Sequence, residues 1–177
     1  MNNWRFTLTV IAATTAIIGT AQAVTDTAFK YSTVKTGYFT INPGDLIPNS
    51  SSATYDLTIS ALTAVGSVTG CFYAGVHLPN GARIGQVAIW YVSGATGGDL
   101  QFQLARTRLA DNATEFAVAT NPHDDSGVHK MSAVFADAAM ATVNNGIYRY
   151  SFGFCPASVD NVFHGGRITY TYTNAGD

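Results

Sequence analysis

Four histidines, His77, His123, His129 and His164, carry the most obvious chemistry in the chain. In "NPHDDSGVH" two of them, His123 and His129, bracket Asp124 and Asp125. Two imidazoles and two carboxylates are a donor set that a divalent metal accepts. The H-x5-H spacing, however, fits neither a helical i,i+4 pair nor a zinc-finger arrangement, and Pro122 and Gly127 mark a polar turn. A solvated loop is therefore the expectation, and a metal site on these four residues the lesser alternative. Asp111, Asn112 and Glu115 in "LADNATEF" offer oxygens without the D-x-D-x-D-G order of a calcium loop, and read as a hairpin turn.

Catalytic spacings are missing. The chain has no G-x-S-x-G elbow, no H-E-x-x-H, no P-loop and no G-x-G-x-x-G after a strand. No catalytic residue is assigned, no cofactor is expected, and a non-enzymatic protein is the reading. A secreted hydrolase using His123 or His164 with an aspartate stands behind it as a distant alternative, needing a convergent cleft.

Ligand contact without catalysis points to other residues. Trp90, with Tyr73, Tyr91 and His77, offers aromatic faces of the kind whose C–H stacking suits pyranose rings. Strand alternation sets Trp90 with Ala88 and Val92, opposite Val87, Ile89 and Tyr91. Both sets are apolar, so burial of Trp90 in the core is favoured over sugar stacking. His77 lies just before "LPNG", a turn in which Pro79 is expected at the first central position and Gly81 at the exit. It reads as a hydrogen-bonding residue at a strand end near solvent.

The elements that must position these groups are strands. Nine runs of period two stand out: "GYFTI", "TYDLTI", "GCFYAGVHL", "GQVAIWYV", "DLQFQLARTRL", "EFAVAT", "VHKMSAVF", "IYRYSFGFC" and "GRITYTYT". Turn formers such as "PNGA", "SGATGG" and "NPHDDSG" separate them. About nine short strands predict an all-β fold, an antiparallel β-sandwich of jelly-roll type. Leu100, Phe102 and Leu104 share one face, as do Tyr148, Tyr150, Phe152 and Phe154, and as do Ile168, Tyr170 and Tyr172. These are core faces. In "SAVFADAAMATVNNG" the spacing turns helical, predicting one short helix near residues 136–142.

The first 23 residues read as a cleaved signal peptide: Arg5, an apolar run from Phe6 to Ile18, then "AQA". Cleavage after Ala23 leaves residues 24–177 as a single β-sandwich domain of 154 residues (177 − 23) with no membrane span. Arg5 leaves with the signal, so eight basic residues face eleven acidic ones. That balance argues against a nucleic-acid partner, which needs clustered cations. Cys71 and Cys155, an even count in an exported chain, are expected to form a disulfide. Two glycosylation sequons begin at Asn49 and Asn112 and are short enough to occur by chance.

From Tyr38 to Tyr172 the chain resembles a group of uncharacterised, exported bacterial β-sandwich proteins. The resemblance is carried by "YFTINPGDLIP", "GCFYAGVHLPNGARIGQVAIWYV", "GDLQFQLAR", "VNNGIYRYSFGF" and "FHGGRITYTY". Such chains share a "VHLPxGA" turn and a "gvrItY"-like last strand. This one has "AIWYVSG" where a Tyr-Tyr-Tyr-Asp run is frequent. The resemblance implies fold and export, and no activity.

Taken together, the sequence predicts an exported structural, surface or interaction module, secreted, periplasmic or on the cell surface, with an unknown protein or glycan partner or a second copy of itself. A jelly-roll carbohydrate-binding domain is the alternative.

Overall fold

The computed structural model describes residues 29–66, 70–93, 100–121, 128–134 and 138–175. Eleven strands lie among them: β1 (Phe29–Ile41), β2 (Ile47–Pro48), β3 (Tyr55–Leu57), β4 (Leu62–Ala64), β5 (Phe72–Val76), β6 (Arg83–Val92), β7 (Leu100–Arg108), β8 (Thr114–Asn121), β9 (Val128–Val134), β10 (Tyr148–Cys155) and β11 (Val162–Ala175). The expected short helix is α1 (Ala138–Ala141). All nine predicted strands are present. The two additions, β2 and β4, are two and three residues long, too short for period-two alternation to reveal.

The pairing is nested. β7 pairs with β8, β6 with β9, β5 with β10 and β4 with β11, all antiparallel, and successive pairs fall alternately into two sheets. This is a long folded ribbon wound into a jelly roll, as expected. One sheet runs β3-β4-β11-β6-β9, with β1 also on β11, and the other runs β2-β5-β10-β7-β8.

Between the sheets lies the core that alternation foretold. Leu100, Phe102, Leu104, Phe152, Phe154 and Ile168 are all at most 1% exposed. Phe163 of β11 bridges the layers, with ring centroids 5.9 Å from Phe152 and 5.1 Å from Phe154. Opposite it on β6 stands Tyr91, buried at 3%.

Cys71 and Cys155 form the expected disulfide, with Cα atoms 4.2 Å apart. The bridge extends the β5·β10 ladder by one register position beyond Phe72↔Phe154, where side chains of antiparallel neighbours directly face each other.

The "LPNG" turn sits one residue later than predicted. Ala82 donates to the Pro79 carbonyl at 3.0 Å, so Asn80 and Gly81 are the central residues, and Gly81 has φ 75°. That is the position at which a type II turn requires positive φ, a cost glycine avoids. A Cβ on Gly81 would meet nothing within 4 Å, so only the backbone opposes substitution. Gly81→Ala is expected to destabilise the fold by about 1 kcal/mol, read as a lowered urea midpoint at unchanged m. An unchanged midpoint would show that the turn relaxes freely.

Candidate functional site

Two bulges decide what the outer face of the six-stranded sheet presents. In the β6·β11 ladder, Phe163 pairs with Tyr91 but the next partners are Gly165 and Trp90, which leaves His164 as the extra residue. A second shift, at Gly85, falls between the Thr169↔Gln86 and Tyr170↔Ile84 pairs. Each bulge resets the alternation, so Ile84 and Val87, three apart, both point inward. Between the bulges Val87, Ile89 and Tyr91 fill the core while Trp90 is half-buried on the other face, which it shares by alternation with the covered Ala88.

Trp90 is therefore not a core residue. It is half-buried on the outer face, between Gly165 of β11 and Lys130 of β9 in register. The neighbouring row reads Thr40, Arg167, Ala88, Ser132 across β1, β11, β6 and β9. Small residues (Gly165, Ala88, Ser132) adjoin the large Trp90 and Arg167 in these rows, and a groove of about 520 Å³ opens between Trp90, Arg167, His164, Thr40, Asn42 and Val128, with Gly165 and Gly166 in its lining. That volume lies within the range of small-ligand sites.

Positive charge and aromatic rings interleave here. The Arg167 guanidinium lies 5.2 Å from the Tyr38 ring centroid and 5.3 Å from that of Trp90, while the Lys130 ammonium is 5.8 Å from Trp90. Tyr38 is 61% exposed, more than a core-packing role would allow. His164 has its Nδ1 3.3 Å from the Ser60 carbonyl, which ties the bulge to the β3–β4 turn.

The other predicted contact residues are dispersed. Tyr73 lies on the outer face of the five-stranded sheet, where Gln103 donates to its hydroxyl at 3.1 Å. A Cβ on Gly153, between them, would come within 2.8 Å of the Tyr73 ring and 2.9 Å of the Gln103 side chain. His77 is exposed at the end of β5, beside a second depression of about 340 Å³ shared with Asn145, Tyr148 and Arg149. Tyr91 is buried in the core. Of the four ligand candidates, only Trp90 lies in the groove.

His123, Asp124 and Asp125 lie outside the described residues, and His129 stands opposite Tyr91 in the backbone register. Among the described residues no three His, Cys, Asp or Glu side chains gather as a metal site would need. The signal-peptide residues also lie outside the described part. No helix among the described residues is long and apolar enough to cross a membrane.

Elsewhere, several charged and phenolic groups have structural partners. Arg106 pairs with Glu115, stacks 4.6 Å from the Tyr148 ring and donates to the Ala139 carbonyl at 2.7 Å, fastening α1 to β7. Burial pushes the Tyr150 phenol above its ordinary pKa, although the Asn144 amide donates to its oxygen at 2.8 Å. Burial likewise raises Tyr170. Both are neutral packing groups at physiological pH.

No family model and no curated protein matches the sequence. Solved structures do match in fold. The CBM22-1–GH10 modules of the N-terminal endo-1,4-β-D-xylanase 10B from Clostridium thermocellum, complexed with xylohexaose, align over 77% of this chain and 27% of that one, at 12% identity and TM-score 0.51. A GH26-CBM35 β-(1,4)-mannanase of Podospora anserina aligns over 80% and 28%, at 13% identity and TM-score 0.47. A variant of a family 29 carbohydrate-binding module aligns over 77% and 92%, at 10% identity and TM-score 0.45. These neighbours are carbohydrate-binding modules or contain them. The chain spans little more than a quarter of the two enzymes, and at such identity the likeness establishes the jelly-roll sandwich alone.

Proposed function

We propose that this chain is a carbohydrate-binding module that holds a saccharide, without chemical turnover, in the groove on the outer face of its six-stranded sheet. The observation that carries the reading is Trp90, a half-exposed indole with Gly165 on one side and Lys130 on the other, at the edge of a 520 Å³ groove. An indole face offers the C–H bonds of a pyranose ring a flat apolar surface, and Thr40, Asn42 and His164 line the same groove with hydroxyl, amide and imidazole groups for the sugar hydroxyls. Lys130, exposed at the strand edge, can leave the ring at a cost of about 0.5–1 kcal/mol, less than a buried sugar ring returns.

The fold supports the reading by analogy, since the xylanase CBM22-1–GH10 modules that this chain resembles in fold were solved complexed with xylohexaose. The disulfide supports an exported location, where such bridges persist. This reading replaces the general structural or interaction module as the leading one, because it names a surface and an occupant. A glycan array backed by affinity electrophoresis in soluble plant and microbial polysaccharides tests it. Retardation by at least one polymer, relieved by its free oligosaccharide, is expected; no binding across neutral and acidic panels would end the proposal.

A further inference from the structure

We infer that the saccharide this groove selects is an acidic one, with its carboxylate or sulfate ester paired to the Arg167 guanidinium. The inference deepens the carbohydrate-binding reading and rests on it. Arg167 Nε is buried and has no hydrogen-bond partner. Arg167 as a whole is half-exposed and lines the groove, so the rest of its guanidinium can meet a ligand, and the acceptor that best suits a cation carries a negative charge. Among the described residues the two ion pairs use Arg106 with Glu115 and Arg108 with Asp111, and neither Arg167 nor Lys130 is in one.

The surroundings favour an anion further. Among the described residues the groove lining holds no aspartate or glutamate. Asp45, three residues on from the lining Asn42, is outside that lining, and its carboxylate accepts from the Asn42 backbone N–H at 2.7 Å and from its Nδ2 at 3.1 Å. Tyr38 and Trp90 flank Arg167 at 5.2 and 5.3 Å, which fixes the guanidinium between two rings. Guanidinium stacks on aromatic faces while its N–H fork stays free for a carboxylate or sulfate. Lys130 adds a second positive charge across the Trp90 ring. A uronic acid or sulfated sugar lying along Tyr38 and Trp90 would meet both apolar surface and charge. The chain's net charge of −2 opposes diffuse attraction to polyanions, so preference for an acidic polymer must arise locally.

The test compares matched probes: polygalacturonate and glucuronoxylan beside their carboxyl-reduced forms, and chondroitin sulfate beside its desulfated form. Affinity is measured by calorimetry at low and at physiological salt. At least one acidic polymer should bind roughly tenfold or more tightly than its neutralised partner, with the difference shrinking as salt rises. Arg167→Gln should lower that affinity by roughly 10- to 100-fold, as loss of a charge-assisted hydrogen bond does. Lys130→Gln, an exposed change that leaves folding intact, should lower it by less, and Arg149→Gln on the opposite sheet should leave it unchanged. Equal binding of the charged and neutralised forms, or a preference that survives Arg167→Gln, overturns the acidic specificity while the carbohydrate-binding reading stands. Failure of every polymer, neutral ones included, overturns both.

Discussion

Trp90→Ala abolishes retention on any polysaccharide that retains the wild-type chain, lowering affinity about 30-fold or more. The magnitude follows from truncating a central aromatic anchor, which typically removes at least about 2 kcal/mol of binding. Weak saccharide complexes have little affinity to spare, so the loss takes binding below detection. Stability changes much less. Trp90 faces outward, and its ring contacts with Arg167 and Lys130 are cation–π stacks worth about 0.5–1 kcal/mol each. The variant should therefore unfold only a few degrees below the wild type. Tyr73→Ala, on the outer face of the other sheet, is the informative control and should bind normally. If the two variants exchange behaviour, the saccharide lies over Tyr73 and Gln103 instead of in the groove.

Removing the disulfide produces the largest loss of stability. Cys71 and Cys155 are 84 residues apart, and closing such a loop restricts the unfolded chain enough to contribute roughly 4–5 kcal/mol. Cys71→Ala/Cys155→Ala should lower the melting temperature by roughly 8–20 °C, given about 2–4 °C per kcal/mol for a chain of this size. The bridge acts at the end of the β5·β10 ladder, so fraying should begin there, seen as faster amide exchange at Phe72 and Phe154. Dithiothreitol treatment of the wild type should reproduce the shift. A change under about 1 kcal/mol would mean that the unfolded chain gains little freedom when the link is cut.

Much of the fold was legible because its signals are local. Alternation in "DLQFQLARTRL" and "YRYSFGFC" identified the buried faces, since period two is a property of one strand at a time. The helical spacing around Ala138–Ala141 was local too. The "LPNG" turn was legible in place but not in register, because proline's preference for one turn position competed with glycine's need for another, and positive φ at Gly81 decided it.

The site was less legible, because it is assembled across strands remote in sequence. Alternation had correctly set Trp90 apart from Val87, Ile89 and Tyr91, and Arg167 apart from Ile168 and Tyr170. It carried no information that β11 lies beside β6, which brings Arg167 and Trp90 together across 77 residues (167 − 90). Nor could it show which of two apolar faces of β6 met the second sheet. Tyr38 and Lys130 passed unnoticed for the same reason. A cation alternating with core residues on a strand, facing the same way as an aromatic on another, is the signal that could have nominated Arg167.

The nested pairing has a consequence for the order of assembly. The innermost pair, β7·β8, closes within 22 residues, whereas Phe163 of β11 meets Leu62 of β4 and Tyr91 of β6 across 101 (163 − 62) and 72 (163 − 91) residues. Closing successively wider loops postpones their reward, so this topology is expected to fold slowly and from the inside outward. The groove needs β11 seated on both β1 and β6, and it therefore forms among the last features. A chain arrested before that step has a β7·β8 hairpin but presents Trp90 without Arg167. Recovery of binding after dilution from denaturant then reports completion of the outermost ladder, a later event than the return of bulk β-structure.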